Sequence, residues 1–312
     1  MEVYRDLTEY RKGVNTVATI GTFDGVHIGH QKILNRVIEA AKAMEGESVL
    51  ISFYPHPRLV LFPNNNPLRL LQTLEEKIEQ LERIGIDKLL LIPFSRSFSR
   101  TSSDVFIKDI LVRQVGIKKL VIGYDHHFGK NRTGDITELR RYAPSLGYEV
   151  EEIPAQAIDN ANVSSTKIRN ALRIGDVEVA NRFLSYAYSI SGDVIHGQKM
   201  GRKLGFPTAN IRPSDKWKLI PANGIYLVKV KHRANRYFGL LNIGNKPTVG
   251  DFPVGLEVYI YDFDQEIYGE TLTVELLHYI REEKKFHSLN ELVHAMEHDK
   301  QVGLRLIEQL SH

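Results

Sequence analysis

The chain has 312 residues, a formal net charge of +3 at pH 7 and no cysteine. This length is enough for two domains with separate hydrophobic cores. Because cysteine is absent, disulfides, thiolate metal sites and catalysis by a cysteine nucleophile are excluded. The small positive charge suits anionic small molecules but is too weak to predict nucleic-acid binding. We find no signal peptide and no apolar run of membrane-spanning length, so the sequence predicts a cytoplasmic protein without a membrane partner.

The first half of the chain alternates apolar runs with helical patterns. The apolar runs predict strands that are buried on both faces of a parallel sheet, at 16–20, 48–53, 89–92 and 120–122. The helical patterns lie between such runs or follow them, near 74–84, 104–115 and 136–146. This alternation predicts a doubly wound α/β domain, in which ligands bind beyond the carboxyl ends of the strands.

The second half of the chain has turns, rather than helices, between its apolar segments. Strands are predicted at 224–232, 237–243, 256–263 and 271–280. Alternating apolar and polar residues in the third of these are typical of an antiparallel sheet or a small barrel. A last helix is predicted at 288–310, where apolar residues recur at helical spacing. We place the border after a short helix that ends near Leu184, which gives domains 1–184 and 185–312.

Residues 21–30 read Gly-Thr-Phe-Asp-Gly-Val-His-Ile-Gly-His and join the first predicted strand to a helical pattern. Glycine lets the backbone approach a ligand closely, and a helix N-terminus offers N–H groups and a positive dipole end. His27 and His30 share one face of the first turn because they are three residues apart. The segment therefore predicts a polyphosphate site, whose other candidate residues are Gly21, Phe23, Asp24 and Gly29. The alternative is a plain strand-to-helix turn.

Residues 163–169 begin another predicted helix and read Val-Ser-Ser-Thr-Lys-Ile-Arg. A hydroxyl residue is the usual cap at such a position, so the plain interpretation is a capped helix with surface cations. Three hydroxyls, two cations and a helix N-terminus also combine into an anion site. We expect Ser164, Ser165, Thr166 and Arg169 to bind phosphate.

Residues 123–129 are rich in glycine and follow a predicted buried strand. A loop at that position is expected to line a ligand site, and Asp125 lies within it. The neighbouring residues His126 and His127 lack further ligands at convincing metal-binding spacing, so no metal is expected there.

Residues 192–210 bring glycines and cations together in a short span of the second half. We interpret the span as a flap whose backbone and cations contact phosphates, with candidate residues Gly201, Lys203 and Gly205. Thr208 and Asn210 at its end offer oxygen atoms to Mg²⁺, which keeps several waters while it binds substrate phosphates. The alternative is a solvated loop between two strands.

Together these segments resemble the bacterial bifunctional riboflavin kinase/FAD synthetases over nearly the whole chain. The matching segments are 21–30, 123–129 with Gly134 and Asp135, 164–169, 205–210, 242–244 with Pro247 and Thr248, Glu257 with Tyr268 and Gly269, and 280–286. Phe-Pro-Thr-Ala-Asn at 206–210 and Arg-x-Glu-x-Lys-Phe at 281–286 are the pieces most specific to riboflavin kinases. The chain departs from the family at His126, where members commonly carry an aromatic residue.

The resemblance implies a C-terminal barrel that transfers the γ-phosphoryl group of ATP to the 5′-hydroxyl of riboflavin. Thr208 and Asn210 would hold Mg²⁺–ATP, and Glu257 would accept the hydroxyl proton. Arg281 and Phe286 are the expected flavin-binding residues of this domain.

For the N-terminal domain, a member of the nucleotidylyltransferase superfamily, the resemblance implies a second reaction. The phosphate of FMN would attack the α-phosphorus of ATP, giving FAD and pyrophosphate, without a protein nucleophile. Charge on the departing pyrophosphate would be stabilised by His27, His30, Ser164, Thr166 and Arg169, and Asp125 would contact the flavin.

Two other functions are consistent with parts of the sequence. The first domain could transfer a nucleotide to another phosphorylated metabolite, with the barrel as a regulatory module. Alternatively the barrel could bind nucleic acid, as many small barrels do. The barrel sequence lacks a dense basic stripe with exposed aromatic residues, which argues against nucleic acid.

Overall fold

The computed structural model describes residues 1–63, 68–124, 127–130, 133–154, 163–197, 201, 204–245 and 254–310. The chain divides into two compact units, Met1–Ser164 and Ser165–His312. In the described part of the chain, no helix is both long and apolar enough to span a lipid bilayer.

The first unit is built on a six-stranded parallel sheet. Its strands are β1 (Glu2–Tyr4), β2 (Thr16–Ile20), β3 (Ser48–Tyr54), β4 (Lys88–Pro93), β5 (Ile117–Gly123) and β6 (Glu149–Ile153). They follow the order β1-β4-β3-β2-β5-β6, so the direction of winding reverses between β2 and β5. Ligands of doubly wound sheets bind at the carboxyl edge of such a reversal. The segments after β2 and β5, which the sequence singled out, both begin at this edge.

Helices cover both faces of the sheet. They are α1 (Ile28–Ala43), α2 (Pro57–Leu61), α3 (Leu74–Ile84), α4 (Ser103–Val105) with its π-helical continuation Phe106–Val115, and α5 (Ile136–Leu146). Successive strand residues belong to different apolar cores: Leu50 packs with α1 and α3, whereas Ile51 packs with the π-helix and α5. The predicted doubly wound α/β fold is therefore confirmed. The predicted helix at 104–115 has π geometry over most of its length, and Gly116 N–H donates to Leu111 C=O at 3.0 Å.

The second unit contains a closed antiparallel barrel. Two short helices, α6 (Ser165–Arg173) and α7 (Val177–Leu184), precede it. The barrel strands are β7 (Ser189–Ile195), β8 (Thr208–Pro213), β9 (Gly224–His232), β10 (Asn235–Gly244), β11 (Gly255–Ile260) and β12 (Thr271–Arg281), and α8 (Leu289–Leu310) ends the unit. Around the barrel the order is β10-β11-β8-β7-β12-β9. The predicted barrel with a C-terminal helix is confirmed.

Helices α6 and α7 are bonded to the barrel, although the sequence-based border at 184 groups them with the first domain. Ala222 N–H donates to Leu172 C=O at 2.9 Å. Asn181 Nδ2 donates to Leu276 C=O at 2.8 Å, and its Oδ1 accepts from Tyr188 N–H at 2.7 Å. The compact unit accordingly begins at Ser165, N-terminal to that border.

Candidate active sites

The turn between β2 and α1 has an unusual backbone. Phe23 and Val26 have φ angles of 45° and 34°, in the left-handed region that glycine normally occupies. Each non-glycine residue in such a conformation costs about 1–3 kcal/mol unless its surroundings enforce it. Both side chains are buried in the core formed with α1 and α3. At Gly21, a Cβ atom would lie 2.8 Å from the Phe23 ring, so only glycine fits there.

Asp24 connects this turn to the chain that precedes α3. Its carboxylate is buried and accepts hydrogen bonds from Leu71 N–H at 3.0 and 3.2 Å and from Gln72 N–H at 3.4 Å. The sequence predicted Asp24 as a phosphate-site residue. These contacts give it a structural task, because a carboxylate that accepts backbone N–H groups fixes the turn on which a phosphate could rest.

The two histidines lie against each other at the start of α1. His27 is the N-cap of the helix, and its Nδ1 accepts a hydrogen bond from His30 N–H at 3.3 Å. The rings are stacked with centroids 3.6 Å apart, and Phe23 packs 4.7 Å from the His30 ring. Since Nδ1 is an acceptor, neutral His27 carries its proton on Nε2 and can donate it to a phosphate oxygen. Gly29 is buried in this first turn.

His30 is held in the neutral state by its environment. Burial, followed by the charges of His27 and Lys77, lowers the pKa of His30 well below its usual value. Its Nδ1 is buried and makes no hydrogen bond with the described part of the protein. An orphaned ring nitrogen at a helix N-terminus is consistent with a site that a polar ligand completes.

The hydroxyl-rich segment lies where the two compact units meet in sequence. Ser164 is the last residue of the first unit, and Ser165 begins α6. Thr166 is exposed, whereas Arg169 is buried with 7% of its surface accessible. A buried guanidinium requires polar partners, so Arg169 is not the solvated cation of the plain interpretation.

The glycine-rich loop after β5 is described only in part, because Asp125 and His126 lie outside the described residues. Phe128 is buried and forms an isolated antiparallel bridge with Gly134. Gly129 has a φ of 71°, and a Cβ atom there would lie 2.9 Å from the Ser103 backbone nitrogen. Glycine is therefore required where this loop passes α4.

A cavity of about 900 Å³ opens in the barrel unit. Its lining includes six of the residues that the sequence singled out, Gly201, Thr208, Asn210, Glu257, Arg281 and Phe286. Ligand pockets commonly have volumes of about 300–1,000 Å³, so the cavity can hold a nucleotide-sized ligand. Gly205 lies beside the lining residues Leu204 and Phe206 and has a φ of 84°. Lys203 is outside the described residues.

Strand register places the polar lining residues in one row across three strands. Asn210 on β8 is directly opposite Glu257 on β11, and Glu257 is opposite Asn242 on β10. Thr208 lies two residues from Asn210 and therefore on the same face of β8. Gly197 makes room for the row, since a Cβ atom there would lie 2.2 Å from Asn210 Nδ2.

Asn242 also belongs to this row; it lies in the matching segment 242–244, but sequence reasoning assigned it no role. Its Oδ1 is buried and has no hydrogen-bond partner among the described residues. The available signal was an isolated amide within the apolar alternation of β10. A buried amide oxygen of this kind is normally satisfied by a donor, a water or a cation.

Arg281 joins the rim of the cavity to α8. Its Nε and Nη2 donate to the two carboxylate oxygens of Asp299 at 2.8 and 2.7 Å, and Nη1 donates to Glu282 C=O at 2.9 Å. The guanidinium carbon lies 5.8 Å from the Phe286 ring centroid. Asp299, which is buried, gives no local sequence signal because its partner lies on another element. The pair fixes the segment that carries Phe286 over the cavity.

The fold and the two candidate sites define a class of protein: a nucleotidylyltransferase-like sheet with two histidines at the turn between β2 and α1, followed by a barrel whose cavity is lined by an acid, amides and a hydroxyl. The sequence matches the FAD synthetase family over residues 10–167 and the riboflavin kinase family over residues 184–307. The chain therefore belongs to the bifunctional riboflavin kinase/FMN adenylyltransferase family, as the resemblance predicted.

Individual relatives support the assignment along the whole chain. The bifunctional riboflavin kinase/FMN adenylyltransferase of Listeria monocytogenes is 36% identical, over 92% of this chain and 91% of the relative. The enzyme of the same name from Buchnera aphidicola is 39% identical, over 97% of each chain. A crystal structure described as a macrolide-efflux protein from Streptococcus pneumoniae superposes with a TM-score of 0.87 at 30% identity, covering 96% of this chain and 97% of that one.

Proposed function

We propose that this chain makes FMN and FAD in two consecutive ATP-dependent reactions. The barrel transfers the γ-phosphoryl group of ATP to the 5′-hydroxyl of riboflavin and releases ADP. The other domain joins the adenylyl group of a second ATP to FMN and releases pyrophosphate. The family matches to both halves and the polar row inside the barrel cavity support this assignment. We expect both reactions to take place in the cytoplasm.

Glu257 is the proposed general base of the kinase reaction. It occupies the middle of the row, between Asn210 and Asn242, in a cavity of sufficient size for the substrates. Phosphoryl transfer depends mainly on positioning and on neutralisation of charge, and a carboxylate contributes by accepting the proton of the attacking hydroxyl. The position of Glu257 in this row is the observation that carries the proposal.

Thr208 and Asn210 are the proposed ligands of Mg²⁺ in the same cavity. Hydroxyl and amide oxygens are the hard donors that this ion accepts, and it leaves further positions to waters and substrate phosphates. The orphaned Oδ1 of Asn242 in the same row adds an oxygen that a bound ligand can satisfy. When bound, the ion neutralises charge on the ATP phosphates. Gly201, Lys203 and Gly205 are proposed to contact these phosphates, and Arg281 and Phe286 to place the flavin.

The adenylyl transfer site is proposed at the start of α1. A phosphate oxygen of FMN forms the new bond to the α-phosphorus of ATP as the bond to pyrophosphate breaks. His27 and His30 donate hydrogen bonds to the leaving group, and the N-terminus of α1 adds the positive end of its dipole. Ser164, Ser165, Thr166 and Arg169 are proposed to bind phosphate in the same reaction, and Asp125 is proposed to contact the flavin.

The proposed functional border remains at residue 184. It assigns residues 163–169 to adenylyl transfer and the barrel to phosphorylation. The FAD synthetase match ends at residue 167 and the riboflavin kinase match begins at residue 184, which supports this division. The compact units divide at Ser164, and α6 and α7 belong to the same unit as the barrel. The first residues of α6 are nevertheless proposed to serve adenylyl transfer.

Glu257→Gln tests the kinase assignment because it keeps the shape of the side chain and removes the proton acceptor. We expect FMN formation from riboflavin to fall by about 10²–10⁴-fold, and conversion of supplied FMN to FAD to stay at the wild-type rate. Glu275→Gln on β12 is the matched control, since this glutamate does not line the cavity among the described residues. A folded Glu257→Gln variant that phosphorylates riboflavin normally, or loses both activities, would refute the assignment.

A further inference from the structure

A buried lysine lies next to the turn between β2 and α1, residues 21–27, which is called the phosphate turn below. Lys77 on α3 has only 9% of its surface exposed, and its Nζ donates to the backbone carbonyl of Thr22 at 2.6 Å. In the described part of the chain no carboxylate forms an ion pair with this ammonium group. Burying a charge against a neutral carbonyl is costly, so a lysine at this position calls for an explanation beyond packing.

The neighbours of Lys77 on its own helix face are apolar. Leu74 and Leu81, on the same face of α3, belong to the core that also contains Phe23 and Val26 of the turn. An aliphatic residue at position 77 would continue this stripe without any desolvation cost. The N-terminus of α3 is capped independently of Lys77, by a capping box in which Thr73 and Glu76 bond to each other's backbone N–H.

The charge of Lys77 reaches the groups that form the phosphate turn. Among the described residues, the titratable groups that act on Lys77 and His30 are Asp24 of the turn and His27 at the start of α1. Burial lowers the pKa of Lys77, and the Asp24 carboxylate opposes this effect. The positive charge of Lys77 in turn helps to lower the pKa of His30. In a low-dielectric interior such interactions extend over longer distances than in water.

We propose that Lys77 is a positioning residue for adenylyl transfer. Through Thr22 it supports the strained turn that carries His27 and His30, and its buried charge adds to the positive field where pyrophosphate departs. A fixed charge that is already in place when negative charge develops stabilises the transition state without reorganisation. This inference rests on the roles proposed above for the two histidines.

Lys77→Met tests the proposal, because methionine keeps an unbranched apolar stem and removes the charge and the donor. We expect the kcat for FAD formation from FMN to fall about 10–100-fold with little change in KM, since small displacements of reacting groups have effects of that size. Riboflavin phosphorylation by the same protein serves as the internal control and should be unchanged. The pKa of His30, followed by NMR, should rise.

Thr73→Ala is the matched structural control, because it removes the capping box of α3 and leaves the charge of Lys77 in place. It should lower the melting temperature while FAD formation continues. If Lys77→Met makes FAD at the wild-type rate, or if Thr73→Ala is impaired to the same extent, the proposal is refuted. Lys77→Gln, which retains a donor without the charge, serves if the methionine variant does not fold, and the same loss is expected.

His30→Ala separates this inference from the function on which it rests. Loss of FAD formation in both His30→Ala and Lys77→Met supports both. An active His30→Ala variant together with an impaired Lys77→Met variant would refute the role of His30 and show that Lys77 acts on adenylyl transfer through the rest of the turn. An impaired His30→Ala variant together with a fully active Lys77→Met variant would support the role of His30 and refute that of Lys77.

Discussion

His30 is the residue whose environment is most unusual. Its ring is stacked on His27 and packs against the tilted ring of Phe23, and its Nδ1 is buried without a partner among the described residues. An unperturbed histidine titrates near pH 6.5, but burial and neighbouring positive charge lower the pKa of His30. Below about pH 6.5, His30 binds a proton in the unfolded chain but stays neutral in the folded protein. Protonation of His30 therefore opposes folding as the pH falls.

The variant His30→Phe keeps an aromatic ring in the stack and removes the titrating group, so it should not lose stability through protonation at this position. The free energy of unfolding of the wild type, relative to the variant, should decrease as the pH is lowered from about 8 to about 5.5. Calorimetry of both proteins across this range measures the difference. A difference that is constant with pH would show that His30 titrates normally in the folded protein.

Candidate site residues that belong to a local pattern could be proposed from the sequence, and residues without such a pattern could not. His27 and His30 follow a strand and begin a helix, and Thr208 and Asn210 follow a glycine-rich span. Lys77 and Asp299 were missed because each is a single polar residue within an otherwise ordinary element. Their contacts depend on partners far away in sequence, such as Thr22 for Lys77 and Arg281 for Asp299.

Among the elements, α8 lines part of the barrel cavity with Leu289, Leu292, Met296 and the buried carboxylate of Asp299. Asp299 holds Arg281 with two hydrogen bonds, and the segment that carries Phe286 follows Arg281 directly. Removing one partner of a buried pair leaves a desolvated charge, which commonly costs about 3–5 kcal/mol. The pair is thus expected to matter for stability as well as for substrate binding.

Asp299→Asn should lower the stability of the protein and raise the KM for riboflavin more than it lowers kcat. The amide cannot accept both guanidinium hydrogen bonds, so the Phe286 segment loses its anchor. Thermal unfolding and steady-state kinetics of riboflavin phosphorylation measure the two effects. Glu297→Gln, an exposed acid-to-amide change on the same helix, is the control. Wild-type KM and stability in Asp299→Asn would contradict the anchoring role.

Helices α6 and α7 are expected to stabilise the barrel. A fragment 165–312 should phosphorylate riboflavin and be more stable than a fragment 185–312. The shorter fragment exposes the barrel face that Leu172 and Asn181 cover and removes bonding partners of Ala222, Tyr188 and Leu276. Each buried polar group left without a partner costs about 1–3 kcal/mol. Equal melting temperatures for the two fragments would show that the helices do not support the barrel.

Elements with a regular pattern of apolar residues were predictable from the sequence, whereas strands at the edge of the parallel sheet were not. The buried strands β2 to β5 and the helices α3 and α5 agree with the apolar patterns. The edge strand β6 was missed because its sequence, Glu-Val-Glu-Glu-Ile, is largely acidic. Its glutamates are neutralised by cations from other elements, with Lys119 2.8 Å from Glu151 and Arg140 3.0 Å from Glu152. Such long-range ion pairs leave no trace in local periodicity.

In the molecule as a whole, two reactions with different chemistry are assigned to two different folds. The parallel sheet offers helix N-termini at its carboxyl edge, which suits the stabilisation of a departing pyrophosphate. The barrel offers a polar row within a cavity, which suits the deprotonation of a hydroxyl and the transfer of a phosphoryl group. FMN, the product proposed for the barrel, is the substrate proposed for the parallel-sheet domain, so one protein can convert riboflavin to FAD.

The most direct test is a time course of the intact protein with riboflavin, ATP and Mg²⁺, with flavins and nucleotides separated by chromatography. We predict that FMN appears first and FAD follows, while ADP and pyrophosphate accumulate. FMN supplied in place of riboflavin should give FAD and pyrophosphate without ADP. Riboflavin that remains unchanged, together with supplied FMN that yields no FAD, would contradict the account.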